Sequence, residues 1–173
     1  MVELKNIQTA RKDIFKDGFY LMLFKPERIP PHLGFIVNNE LYDVSVKGKN
    51  AGAKVNFDKL FAANHSFMAI KLNITENKEF LYAFFTKYQT VDENTSCLMP
   101  IKEYFKVLWN NDLPNVNYVF HLIPELQKKG LIDQIFIHNV KLTERNSFVL
   151  REYSHKEIFA QIKKLKERIR VTI

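Results

Sequence analysis

Two residues far apart in the chain could together perform nucleophilic chemistry. His32 lies in the segment PPHLGFIVNNELYDVS, and Cys97, the only cysteine of the 173-residue chain, lies in TSCLMPIKEYF. The second segment predicts a helix that begins near Cys97, and the positive end of a helix favours the thiolate form of a cysteine. A thiol hydrolase or acyltransferase needs a histidine beside such a thiol.

The segment around His32 predicts a hairpin that carries a carboxylate to the histidine. Asn38 and Asn39 tolerate the positive φ angles of a tight two-residue turn. With that turn, Gly34 lies opposite Asp43, so His32 and Asp43 share a face as diagonal neighbours. A hydrogen bond between them would fix the histidine tautomer and stabilise the imidazolium. A three-residue turn would place Asp43 on the opposite face, so the predicted triad depends on the turn.

The elements that must position these residues follow from hydrophobic periodicity and from turn residues. We expect Thr75 to cap one helix, and Thr95 or Ser96 to cap the helix of Cys97, with Pro100 in its first turn. KGKNAGAK is expected to be a flexible connection. The predicted helices are 7–15, 57–63, a segment after Thr75, 97–109, 124–130 and a C-terminal helix. The predicted strands are 19–24, 32–37, 41–46, 66–72 and 118–122, with a hairpin formed by 132–142 and 148–153.

This order of elements lacks a regular alternation of strand and helix, and it predicts an α+β fold with a mainly antiparallel sheet packed against helices. The length of 173 residues predicts one domain over 1–173. A single cysteine cannot form an internal disulfide, which is typical of a cytoplasmic protein. The longest apolar run, Phe19 to Phe24, is too short for a signal-peptide core or a membrane span.

The sequence predicts neither a metal site nor a cofactor site. The other histidines show no metal-ligand spacing, and the chain has no glycine-rich phosphate loop, dinucleotide fingerprint or G-x-S-x-G elbow. The net charge of +7 is concentrated in the C-terminal third. There, the apolar residues fall at helical spacing, so the basic residues are interpreted as the solvated face of a packed helix and not as a nucleic-acid site.

The residues that carry the predicted chemistry resemble those of the circularly permuted papain-like superfamily. That group includes the YiiX-like and other NlpC-type cysteine peptidases and amidases, lecithin retinol acyltransferase relatives and the PPPDE peptidases. HLGFIVNNELYD is similar to its histidine strand, SCLMPIKEYF to its cysteine helix, and IPELQKKGLI to the segment that follows that helix in YiiX-like proteins. The resemblance covers roughly residues 17–135.

The resemblance implies a permuted papain-like domain that cleaves or transfers a peptide, amide, ester or thioester acyl group. Cys97 would be the nucleophile, His32 the general base and acid, and Asp43 the orienting group. Two alternatives stay open at this point. The domain could be a catalytically inactive relative that serves as a binding module, or a basic module that contacts nucleic acid. The sequence does not specify the substrate, the second oxyanion donor or the oligomeric state.

Overall fold

The computed structural model describes residues 1–171 and has an α+β architecture, with a mainly antiparallel sheet packed against helices. A 3₁₀ helix spans Lys12–Lys16. The strands are β1 (Val2–Leu4), β2 (Ile7–Thr9), β3 (Phe19–Phe24), β4 (His32–Val37), β5 (Glu40–Ser45), β6 (Gly48–Lys54), β7 (Phe67–Leu72), β8 (Ile132–His138) and β9 (Phe148–Leu150). The helices are α1 (Phe57–Leu60), α2 (Lys78–Lys87), α3 (Leu98–Trp109), α4 (Val119–Lys128) and α5 (His155–Val171).

Seven of the described strands form one sheet in the order β2-β8-β7-β3-β4-β5-β6. All neighbours in this sheet are antiparallel except the parallel pair β2 and β8. The sequence of β3, FYLMLF, is apolar at every position, because this central strand is covered on both faces. The predicted strands 19–24, 32–37 and 66–72 are therefore confirmed to within a residue.

The hairpin of β4 and β5 has the predicted two-residue turn. Asn38 and Asn39 have φ angles of 46° and 68°, and Gly34 pairs with Asp43. The turn is also tied to the start of β3, because the Gly18 N–H donates to the Asn38 side-chain oxygen at 2.8 Å. Two positive φ angles match the right-handed twist of the flanking strands, and they fix the register on which the site depends.

The segment KGKNAGAK is not a flexible connection, and the prediction was wrong on this point. It forms β6, the edge strand of the sheet, and it pairs with β5 from Gly48 opposite Ser45 to Lys54 opposite Glu40. Glycine, alanine and lysine have low β-propensity, so the local sequence gives little strand signal. The pairing with β5 and the packing of α2 against this part of the sheet determine the conformation instead.

One face of the sheet packs against α2, α3 and α4 and forms the larger core. The apolar face of α3 is buried through Leu98, Pro100, Ile101, Tyr104 and Phe105. Burial of a large apolar side chain stabilises a fold by roughly 1.5–3 kcal/mol. This packing therefore holds α3, and with it the position of Cys97, firmly against the sheet. The opposite face packs against the 3₁₀ helix and α1, with Phe15 at the centre of a smaller cluster.

Three further predictions were wrong. Residues 7–15 form β2 and a 3₁₀ helix instead of one helix, since Ile7 pairs with Ile135 of β8. Residues 118–122 are not a strand but begin α4, whose buried residues recur at helical spacing. The two segments expected to form a C-terminal hairpin lie in different sheets, because β8 pairs with β7 and β2 whereas β9 pairs with β1.

The predicted helix caps were also wrong. Asn77, and not Thr75, caps α2, since its side-chain oxygen accepts from the Phe80 N–H at 3.0 Å. Cys97 itself occupies the N-cap position of α3, instead of Thr95 or Ser96, and its side chain makes no capping hydrogen bond. Among residues 1–171, no helix combines the length and the apolar character that a bilayer crossing requires.

Candidate functional site

His32 and Asp43 form the hydrogen bond that the predicted register allows. His32 Nε2 lies 2.6 Å from Asp43 Oδ2. The Asp43 side chain is only 10% exposed, whereas the His32 side chain is 32% exposed. A buried carboxylate that accepts from one ring nitrogen fixes the tautomer and the orientation of the imidazole. Because Nε2 is engaged with Asp43, Nδ1 is the ring nitrogen that remains for a second partner.

Asn50 on β6 supports the carboxylate from the other side. Its side-chain amide donates to Asp43 Oδ1 at 2.7 Å, and Asn50 lies directly opposite Asp43 in the pairing of β5 and β6. Both Asp43 oxygens are therefore hydrogen-bonded, one to His32 and one to Asn50, as burial of a charged group requires. Our sequence analysis missed Asn50, because the segment that contains it was assigned to a loop.

Gly34 allows β4 and β5 to approach closely beside this pair. A Cβ atom at Gly34 would lie 2.8 Å from Asp43 Cβ and 2.9 Å from the Tyr42 carbonyl oxygen. Such separations are far below ordinary van der Waals contact, so any side chain here would displace Asp43 or the β5 backbone. Gly34 is thus required by the space around Asp43, whereas the sequence analysis had placed it opposite Asp43 without identifying this constraint.

Phe24 holds the imidazole from the adjacent strand. It pairs with His32 across β3 and β4, and the two rings stack with centroids 5.5 Å apart and an interplanar angle of 25°. The stacking and the Asp43 hydrogen bond together restrict the ring of His32. The sequence analysis identified Phe24 only as the last residue of a strand, and neither its type nor its spacing indicated contact with His32.

Cys97 lies at the N-terminal end of α3 and is partly exposed. The preceding loop is held by Asp92, whose Oδ1 accepts from the Asn94 and Thr95 N–H groups at 2.8 Å each. No side-chain hydrogen bond caps α3, whose N-cap residue is the cysteine itself. Cys97 is positioned where the helix dipole favours negative charge on the sulfur.

Cys97 and His32 line the same cavity at the end of the sheet where β4 begins, close enough for the sulfur to influence the charge of the imidazole. Burial opposes the charged form of His32, but the hydrogen bonds and negative charges of Asp43 and Cys97 outweigh it and raise the pKa of His32 to about 10. The imidazole is therefore held in its protonated form between a carboxylate and a sulfur. The three residues that the sequence analysis selected are adjacent in the folded protein.

A cavity of about 330 Å³ opens beside Cys97 and His32. Its walls come from β4, the end of β5, the start of α3 and one side of α5, and most of the lining side chains are apolar. Lys25 and Arg28 contribute to the same cavity from the loop between β3 and β4. This volume lies at the lower end of the range for small-molecule sites, so the thiol is accessible to a ligand.

Tyr153 lines this cavity as well, and the sequence analysis did not identify it. Its ring packs edge-on against Tyr118 and Phe120, with centroids 5.4 and 4.9 Å away. Burial raises the pKa of Tyr153 and the charge of Cys97 raises it further, whereas the Val119 backbone N–H lowers it. The hydroxyl is therefore protonated at neutral pH and lies close enough to Cys97 to sense its charge. Tyr153 had been predicted only as the end of a hairpin.

Of the histidines, only His32 is among the described residues that line this cavity. His138 stacks on Phe67, His155 packs against Phe159, and His121 Nδ1 accepts from the Asn117 N–H at 3.3 Å. Within residues 1–171, no group of three or more histidine, cysteine, aspartate or glutamate side chains is arranged to hold a metal ion.

Comparisons with protein-family models, with curated proteins and with solved structures gave no match to this chain.

Proposed function

We propose that the protein is a thiol hydrolase or acyltransferase that acts on an amide, ester or thioester bond. The observation that supports this proposal best is the hydrogen bond between Asp43 and His32, together with the position of Cys97 beside the same imidazole at the wall of a cavity. Cys97 is the nucleophile, His32 the general base and acid, and Asp43 the orienting group. The arrangement is similar to that of the permuted papain-like enzymes, and we propose membership of that superfamily with it.

The reaction proceeds in two acyl-transfer steps. The Cys97 thiolate attacks the acyl carbonyl carbon, a C–S bond forms, and the bond to the leaving oxygen, nitrogen or sulfur breaks as the His32 imidazolium gives its proton to the leaving group. Water or another nucleophile then attacks the thioester while His32 takes up its proton. The C–S bond breaks, and the thiolate returns to its pairing with the imidazolium.

The negative oxygen that forms in each step requires hydrogen-bond donors. The Cys97 backbone N–H at the start of α3 is one donor, as in other enzymes whose nucleophile begins a helix. Tyr153 is our candidate for the second donor, because its hydroxyl is protonated and belongs to the same cavity wall. Its role is that of a catalytic residue, since it would contact the reacting oxygen.

The test uses the fact that Cys97 is the only cysteine, so that alkylation reports on one site. We expect iodoacetamide to modify the wild type rapidly at pH 6, because the His32 imidazolium and the positive end of α3 both favour a nucleophilic sulfur. His32→Ala should react slowly at pH 6 and regain reactivity only in alkali. His65→Ala, a histidine variant outside the cavity, is the matched control and should react like the wild type.

Hydrolysis of p-nitrophenyl acyl esters, with loss of activity in Cys97→Ala, measures the reaction itself. Slow alkylation of the wild type with an ordinary alkaline pH profile, equal to that of His32→Ala, would refute the catalytic proposal. That result would favour the alternative of a binding module without catalysis. Rapid alkylation at pH 6 together with no ester hydrolysis would instead restrict the reaction to a substrate class that such esters do not represent.

A further inference from the structure

Helix α5 forms one wall of the cavity beside Cys97 and is held by little apolar packing. Its side chains Ile158, Gln161, Ile162 and Leu165 line that cavity, and Ile162 is the only buried residue of the helix among residues 155–171. An amphipathic helix of a folded domain normally buries a whole apolar stripe. The attachment of α5 is therefore much weaker than that of α3, which buries five residues.

A second cavity, of about 330 Å³, lies between α5 and the loop that precedes α3. Residues 92–96 of the loop line it together with His155, Ile158, Phe159 and Ile162 of the helix. Ile158 and Ile162 thus line both cavities. Protein interiors are normally filled as densely as organic crystals. Helix α5 accordingly rests on the rest of the protein along a narrow apolar stripe that has unfilled space beside it.

The N-terminal end of α5 is suited to a pivot. Tyr153 is only 8% exposed and packs against Tyr118 and Phe120, so the chain is fixed up to this residue. The next residues cap the helix reciprocally, because the Ser154 N–H donates to Glu157 Oε2 at 2.8 Å and the Glu157 N–H donates to Ser154 Oγ at 3.4 Å. A first turn that is capped by its own residues does not depend on the rest of the fold. The helix can therefore move as a unit about Ser154.

The charges of α5 attract the helix to the loop before α3 without fixing it there. Hydrogen bonds from Asn94 and Thr95 lower the pKa of Asp92 in that loop, and the charge of Lys166 lowers it further. Lys166 nevertheless forms no ion pair among residues 1–171. Attraction between partly exposed charges that do not touch is weak and is screened by salt. Apolar contact thus provides most of the hold on α5.

We propose that α5 is a lid that pivots at Ser154 and controls access to Cys97. The structure represents the closed position, in which small molecules reach the sulfur and a larger substrate reaches it only after α5 has moved away. A lid of this kind excludes water from a reacting site and sets the rate at which substrate enters. This inference rests on the proposed function, since a lid serves a site that receives a substrate, but the motion is measured on the thiol itself.

The test compares two reagents of different size at Cys97, the only cysteine of the chain. Iodoacetamide and its bulky derivative N-(1-pyrenyl)iodoacetamide react by the same chemistry, so the ratio of their rates reports on access and not on the reactivity of the sulfur. In the wild type, we expect the pyrenyl reagent to react at least tenfold more slowly than iodoacetamide. If the pyrenyl reagent enters only the open state, its rate is proportional to the open fraction.

Two alanine variants weaken the attachment of the lid in different places. Ile162→Ala removes the buried contact and should raise the relative rate of the pyrenyl reagent at least tenfold. Phe159→Ala removes a contact in the second cavity only and should raise the relative rate about threefold, because Phe159 is 36% exposed. The matched control is Lys163→Ala, which changes an exposed residue of the same helix and should leave the ratio unchanged.

The variants distinguish a moving lid from a fixed wall. Phe159 does not line the cavity of Cys97, so a rise in Ile162→Ala without any rise in Phe159→Ala would mean that the substitution merely enlarges the entrance, and it would refute the lid. A wild-type ratio near one would also refute it, because the entrance would then already be open. A rise accompanied by a loss of helix content in far-UV circular dichroism would indicate unfolding of α5 and would overturn the pivot.

The same data separate the lid from the proposed function. Slow alkylation of the wild type by iodoacetamide, equal to that of His32→Ala, would refute the catalytic proposal, whereas a raised ratio in Ile162→Ala and Phe159→Ala would still support the lid. Hydrolysis of p-nitrophenyl esters together with one ratio for the wild type and all three variants would support the enzyme and refute the lid.

Discussion

Substitution of Gly34 by alanine tests whether the close approach of β4 and β5 sets the position of Asp43. The new Cβ would lie 2.8 Å from Asp43 Cβ, so that atom must move by about 0.6 Å to restore an ordinary contact of 3.4 Å. Rotation of a side chain cannot relieve the second contact, because the Tyr42 oxygen 2.9 Å away belongs to the backbone. The β5 strand must therefore shift or the sheet must open locally.

We expect two measurable consequences. Overpacking of a filled interior destabilises a fold by about 1–3 kcal/mol, so the free energy of unfolding in urea should fall by that amount. The displacement of Asp43 loosens its hydrogen bond to His32, and a misplacement of this size should reduce the rate of Cys97 alkylation at pH 6, and of ester hydrolysis, about tenfold. The expected loss of reactivity is specific to the site, whereas the loss of stability is not.

A matched control separates the two effects. Ala69→Val adds volume at a fully buried position of β7, two strands away from β4 in the sheet. It should destabilise the protein to a similar extent but leave the rate of alkylation at pH 6 close to that of the wild type. If Gly34→Ala unfolds at the wild-type urea concentration and retains full reactivity, the argument from the Gly34 contacts is refuted.

Three further predictions concern the groups around His32. Asn50→Ala should lower kcat about tenfold, because Asp43 loses its second hydrogen-bond donor, and unchanged kinetics with an intact fold would exclude that role. Tyr153→Phe should lower kcat by one to two orders of magnitude with little change in KM if its hydroxyl stabilises the oxyanion, whereas a purely structural role would change stability alone. The contribution of His32 to stability should depend on pH, because its pKa is about 10 in the folded protein and about 6.5 in the unfolded protein. This contribution is fully present below pH 6.5 and is lost as the pH rises towards 10. The difference in urea unfolding free energy between wild type and His32→Gln should therefore shrink over that interval, and a difference that grows with pH would contradict the assignment.

The local sequence was sufficient where short-range rules determine the structure. The apolar run FYLMLF predicts a strand, and the two asparagines predict a turn because both tolerate positive φ. That turn fixes the register, and the register alone is enough to place Asp43 on the same face as His32. The helix after Cys97 was also predictable, since its apolar residues recur at helical spacing.

Long-range pairing was decisive where the local signal is weak or ambiguous. β6 forms because it pairs with β5, although glycine, lysine and alanine have little intrinsic preference for a strand. β2 forms in place of a helix because β8, more than a hundred residues later, is its parallel partner. A single sequence does not reveal these partners, because the free energy of pairing depends on which segments the whole fold brings together.

The residues of the candidate site also fall into two groups, those that local sequence indicates and those that only long-range contacts bring to the site. Residue types and local positions, at a helix start and across a hairpin, were enough to nominate Cys97, His32 and Asp43 as candidates for thiol chemistry. Only the tertiary structure added Asn50, Tyr153 and the cavity beneath α5, since these depend on contacts between elements that are distant in the chain. The physical reason is that a hairpin turn fixes its own geometry within a few residues, whereas a cavity is the space left between elements whose packing involves the entire core.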